Sequence, residues 1–147
     1  MNKNQEIIDK LNGLLSDFQI FYQNLRGFHW NIQGRNFFEL HVKFEELYTD
    51  AAIKIDMIAE RVLTVSGTPI HGFQDYLNTT ELEPVKNVHD GEVAVKTIVS
   101  NLEKIIVKER AIKDLAGSLD DSGTEDLMSA FVEEQEKTLW MYKAWLK

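Results

Sequence analysis

Apolar residues recur three and four positions apart through most of this chain, and that spacing restricts it to long amphipathic helices. Ile8, Leu11, Leu15, Phe18, Tyr22 and Leu25 mark one helix over residues 5 to about 32. After the polar break NIQGRN, Asn36 offers an N-cap with Glu39 as its capping-box partner, and a second helix runs to about Val65. SGTP ends it, because Gly67 suits a C-terminal cap and Pro69 cannot extend a helix. Residues 70 to 88 have weak periodicity, with room for one short helix at FQDYL. That stretch is too long for a tight turn and fits a crossover lying along a bundle. Asp90 can cap a third long helix carrying Val93, Ile98, Leu102, Ile105 and Ile112 to about Leu115. After GSLDDSGTEDLM, Thr124 or Ser122 can cap a last helix with Leu127, Phe131, Leu139, Tyr142 and Leu146 on its apolar stripe. The expected fold is all-α: a four-helix bundle in one domain over residues 1–147, with a short extra helix in the long crossover between the second and third long helices.

Composition removes several functional classes. The absence of cysteine excludes disulfide frameworks, thiol catalysis and thiolate metal sites, and agrees with a reducing compartment; a cytoplasmic location is expected. No apolar run is long enough to span a membrane. A formal charge of −8 with scattered Lys and Arg opposes tight non-specific binding to nucleic acid, and suits attraction of cations.

Residues 28 to 62 concentrate the chemistry. They hold His29, His41, Glu45, Asp56 and Glu60, an N/O donor set suited to Fe(II), Mn or Zn. His41 and Glu45 share one helix face through their i,i+4 spacing, as do Asp56 and Glu60. On one continuous helix, however, His41 and Asp56 stand about 22 Å apart. A single helix cannot bring both pairs to one ion, whereas an antiparallel second copy related by a two-fold axis near mid-helix can. The bland reading of these residues is a solvated face, with Lys54 and Arg61 pairing with nearby acids and His29 serving as a packed or capping residue.

The run HWNIQGRNFFELHVKFEELYTDAAIKIDMIAERV resembles the diagnostic region of the Dps family of miniferritins, and the similarity extends over nearly the whole chain. The resemblance implies a ferritin-like four-helix bundle assembled as a hollow homo-dodecamer. It also implies oxidation of Fe(II), preferably with hydrogen peroxide rather than dioxygen, and storage of the ferric mineral with no organic cofactor. By the family pattern, His29, His41 and Glu45 of one subunit face Asp56 and Glu60 of its two-fold mate. Glu45 stands where the family more often has Asp. Trp30 is a candidate electron donor beside His29, with interface packing as its ordinary role. Among Asp120, Asp121, Glu125 and Asp126, the resemblance points to Asp121 and Asp126 as acids lining a three-fold iron pore, against a plain role in capping.

Direct DNA binding is not expected, because only Lys3 and Lys10 precede the body of the first helix. Protection of DNA would then be chemical, by removal of iron and peroxide. Two alternatives stand beside the iron cage: a helical interaction protein whose polar face is structural, and a Dps-like particle that binds DNA directly. A di-metal oxidase built within one chain would need an E-x-x-H motif, and none occurs.

Overall fold

The computed structural model describes residues 3–147 as five helices: α1 (Lys3–Asn31), α2 (Phe37–Thr64), α3 (Phe73–Thr79), α4 (Gly91–Ser118) and α5 (Ser122–Trp145). The four long helices form the expected bundle. α1 packs on α2, α4 packs on α5, and α1 joins the two pairs through α4. Their apolar stripes meet in one core, in which Phe18, Phe21, Phe28, Phe44 and Phe131 are the largest fully buried side chains. Phe18 touches Phe21 and Phe131 edge-on with ring centroids 6.4 and 6.3 Å apart, the geometry that aromatic quadrupoles favour.

The crossover is laced to α1 by three polar side chains. Asn12 donates to the Thr68 carbonyl and accepts from the Ile70 amide. Asp17 accepts from the Thr80 hydroxyl and the Glu81 amide, and Asn24 donates to the Glu83 carbonyl and accepts from the Val85 amide. An irregular segment lying on the bundle has backbone groups without helical partners, and these side chains satisfy several of them. α3 packs on α1 within this segment.

Helix ends differ from expectation at three points. Asn36 precedes α2 but makes no capping hydrogen bond. The turn at Gly34 (φ +102°) runs straight into the helix and leaves Asn36 at φ −102°, ψ 21°, away from the extended backbone that aims a capping side chain at the first-turn amides. α2 ends through Ser66, which takes the left-handed conformation (φ +75°) expected of glycine, while the Gly67 amide donates to the Val62 carbonyl at 2.8 Å. Gly67 is required one position later, because a Cβ there would lie 2.8 Å from the Ile8 side chain. The cap of α5 is Asp121 rather than Ser122 or Thr124, its carboxylate accepting from the Thr124 amide at 3.1 Å. Asp90 caps α4 as expected, accepting from the Val93 amide.

Candidate functional site

The last turn of α1 lies against the first turns of α2, and the two meet through a pair of histidines. The rings of His29 and His41 stack with centroids 3.7 Å apart and planes 11° from parallel. Each ring also reaches the other residue's backbone: His29 Nδ1 is 2.6 Å from the His41 carbonyl oxygen, and His41 Nδ1 is 2.7 Å from that of His29. A carbonyl only accepts, so both Nδ1 atoms carry the proton and donate. In the neutral rings both Nε2 atoms therefore keep a lone pair, as in metal-ligating histidines whose second nitrogen is fixed by a carbonyl. His29 Nε2 lies 3.6 Å from Glu45 Oε1, and the Glu45 side chain is 58% exposed.

Aromatic rings hold the pair on both sides. Phe37 stacks on His41 at 5.0 Å, and Tyr48 meets His29 edge-on at 5.3 Å. Neither was singled out in the sequence, although Phe37 and Tyr48 stand four before and seven after His41 and so share its helix face. Trp30 is 55% exposed, with the Arg26 guanidinium 4.8 Å from its ring centre.

Asp56 and Glu60 lie farther along α2 and are exposed. The lysine and arginine that might have paired with them are engaged elsewhere. Lys54 is buried and bridges Asp50 and Glu134, both at 2.8 Å, while Arg61 bonds Asp121 and Thr124. Neither Asp56 nor Glu60 has a side-chain hydrogen bond or ion pair among the described residues. His29 thus meets both His41 and Glu45, Asp56 and Glu60 stand apart from them, and no three His, Asp or Glu side chains among the described residues converge to hold an ion within one chain.

These residues belong to a longer stripe. Phe38, Val42, Glu45, Thr49, Ile53, Asp56 and Glu60 follow spacings of four and three along α2, and all are exposed. The stripe is apolar in part, with Phe38 at 83% exposure and Val42 and Ile53 each more than half exposed.

At the start of α5, Asp121 is largely consumed within its own chain. It accepts from the Thr124 amide and hydroxyl and from Arg61. Burial works to raise its pKa, but these hydrogen bonds and the Arg61 charge outweigh it and hold the carboxyl below the usual range. Asp126 is exposed.

A family model described as Ferritin: Ferritin-like domain matches residues 8–147. The crystal structure of a Dps protein from Vibrio cholerae O1, described as a member of a broad superfamily of ferritin-like diiron-carboxylate proteins, is 46% identical. It superposes with a TM-score of 0.98 over 99% of this chain and 91% of that one. The Dps protein from Bacillus brevis is 33% identical with a TM-score of 0.97, covering 100% of this chain and 99% of that chain. A DNA protection during starvation protein from Porphyromonas gingivalis is 43% identical over 95% of this chain and 87% of its own length. The fold and these matches define a ferritin-like protein. Within that superfamily, the chain belongs to the Dps family.

Proposed function

We propose that the protein oxidises Fe(II), preferentially with hydrogen peroxide, at sites shared between two-fold-related subunits, and stores the ferric product in a hollow dodecamer. The observation that carries this reading is the reciprocal histidine pair, whose two Nε2 lone pairs are freed by carbonyl bonds at both Nδ1 atoms beside the exposed Glu45. The imidazoles and Glu45 receive Fe(II), while Asp56 and Glu60 of the two-fold mate complete the set and stabilise the harder ferric product. The α2 stripe supports this arrangement. Its midpoint falls near Thr49, so an antiparallel mate packed along it sets the His41/Glu45 end of one helix near the Asp56/Glu60 end of the other.

A peroxide takes up two electrons, so two Fe(II) ions at neighbouring positions reduce it to water without releasing a hydroxyl radical. The relatives' descriptions, diiron-carboxylate in one case and DNA protection during starvation in another, agree with this chemistry. DNA is then protected by consumption of iron and peroxide rather than by direct binding, in keeping with the charge of −8 per chain. Trp30, more than half exposed, packs against the mate.

The test is complementation. A His29→Ala/His41→Ala subunit and an Asp56→Ala/Glu60→Ala subunit are each expected to lose rapid peroxide-driven Fe(II) oxidation. Co-assembled, they regain one complete site per mixed dimer and a corresponding part of the rate. Verified mixed assemblies that stay inactive would overturn the shared site.

A further inference from the structure

The bundle is closed between α1 and α2 and between α4 and α5, but α2 and α5 pack on each other only sparsely. A cavity of about 400 Å³ lies between them. Its walls include Phe18 and Phe21 of α1, Leu47 and Ala51 of α2, and Met141 and Trp145 of α5. On α2 the lining runs from Leu40 to Lys54, a span of about 20 Å at the helical rise, so this volume is drawn out into a narrow slot. Lys43, Leu47, Asp50 and Lys54 share a face of α2 different from that of the exposed stripe, and a mate packed along the stripe leaves the slot open.

The charges along the slot do not balance. Lys43 pairs with Glu46 at the exposed rim, 3.1 Å apart. At the other end the buried Lys54 ammonium answers two carboxylates, Asp50 of α2 and Glu134 of α5, each at 2.8 Å. Burial works to lower the Lys54 pKa, but the bonds and charges of the two acids outweigh it and hold the ammonium above its ordinary range. Lys54 therefore stays charged. Glu109, raised to about 8 by burial, is mainly protonated at neutral pH and adds little charge. One negative charge is thus in excess beside Lys54, at the end of a channel walled by aromatic rings and aliphatic side chains.

We infer that the slot binds a single-chain amphiphile with a cationic head, of the alkylammonium class. The chain lies along the apolar walls between α2 and α5, as ligands of helix bundles do. The head joins Lys54 between Asp50 and Glu134 and supplies the second positive charge that the two carboxylates lack. An anionic head would set a third negative group beside these two with only Lys54 to answer it, and a neutral chain would gain the apolar contacts without the charge. This binding requires no iron and is independent of the ferroxidase reading.

The experiment is isothermal titration calorimetry of the assembled protein with n-decylammonium below its micelle concentration, and with n-decanol and n-decanoate for comparison. Saturable binding of one decylammonium per chain is expected, with decanol weaker and decanoate weakest. Glu134→Gln removes the excess charge while Asp50 still holds Lys54, and should lower decylammonium affinity by about tenfold. Glu133→Gln makes the same charge change one residue away, outside the slot lining, and should bind as the parent does. Both residues are exposed, so this comparison does not depend on repacking. Met141→Trp adds bulk at the rim and should weaken binding further. No saturable binding, or equal losses in Glu133→Gln and Glu134→Gln, would overturn the slot as the site. Decanol or decanoate binding as tightly as decylammonium would overturn the cationic head.

Discussion

Glu109 is fully buried on α4 among the bundle helices. Burial raises its carboxyl to about 8, against the opposing effects of the Lys54 charge and the Gln135 amide. Because the folded state holds this proton more tightly than the unfolded chain, Glu109 contributes stability that is fully present below its ordinary value of 4.5 and is lost as pH rises through about 8. Denaturation followed between pH 5 and 8 should therefore show stability falling with a limiting slope of about 1.4 kcal/mol per pH unit from this one group. Glu109→Gln keeps the neutral shape and should flatten that slope, becoming more stable than the parent at the alkaline end; equal slopes in the two proteins would refute the assignment. Neither Lys54 nor Glu109 was legible as an interior group. Sequence spacing marks apolar stripes, but a charged residue joins the interior only where the fold brings a partner to it, as Glu134 of α5 joins Asp50, one turn back on α2, around Lys54. The histidine pair was half legible for the same reason: spacing placed His41 beside Glu45, while the exchange of backbone bonds with His29 requires two helices to meet.

Long elements were legible because burying one face repeats a signal every three or four residues, whereas a helix end rests on one or two side chains. Two αL positions, Ser66 and Asp120, stand where sequence reasoning looks for glycine. Asp121 combines a cap with an ion pair to Arg61, and this engagement separates it from Asp126, its companion in the expected iron pore. Asp121→Ala should destabilise the protein by about 1–2 kcal/mol through loss of the cap, measured by chemical denaturation. Asp126→Asn should leave stability nearly unchanged and slow iron uptake at low ionic strength, with the difference from the parent shrinking as salt screens the pore field. A rate defect in Asp126→Asn that ignores salt would remove it from the pore.

At the scale of the whole molecule, the α2 stripe was written in the sequence as plainly as the core stripes, yet only the fold separates the two. Leu40, Phe44, Ala51, Ile58 and Val62 face inward, while Phe38, Val42 and Ile53 face out with the carboxylates Glu45, Asp56 and Glu60 on the same line. A face that alternates exposed apolar residues with exposed acids fits a partner bringing both apolar surface and metal ligands, which a second α2 does. Ile53 lies near the centre of that face, so a charge introduced there would be buried by the mate without a counter-ion. Ile53→Asp should therefore dissociate the assembly to smaller species in sedimentation while helicity measured by circular dichroism persists, and peroxide-driven Fe(II) oxidation should be lost with it. Ile53→Val should keep both assembly and activity. An Ile53→Asp protein that sediments with the parent would show that this face is not the subunit contact, and a dissociated protein that still oxidises Fe(II) at the parental rate would place the whole reaction within one chain.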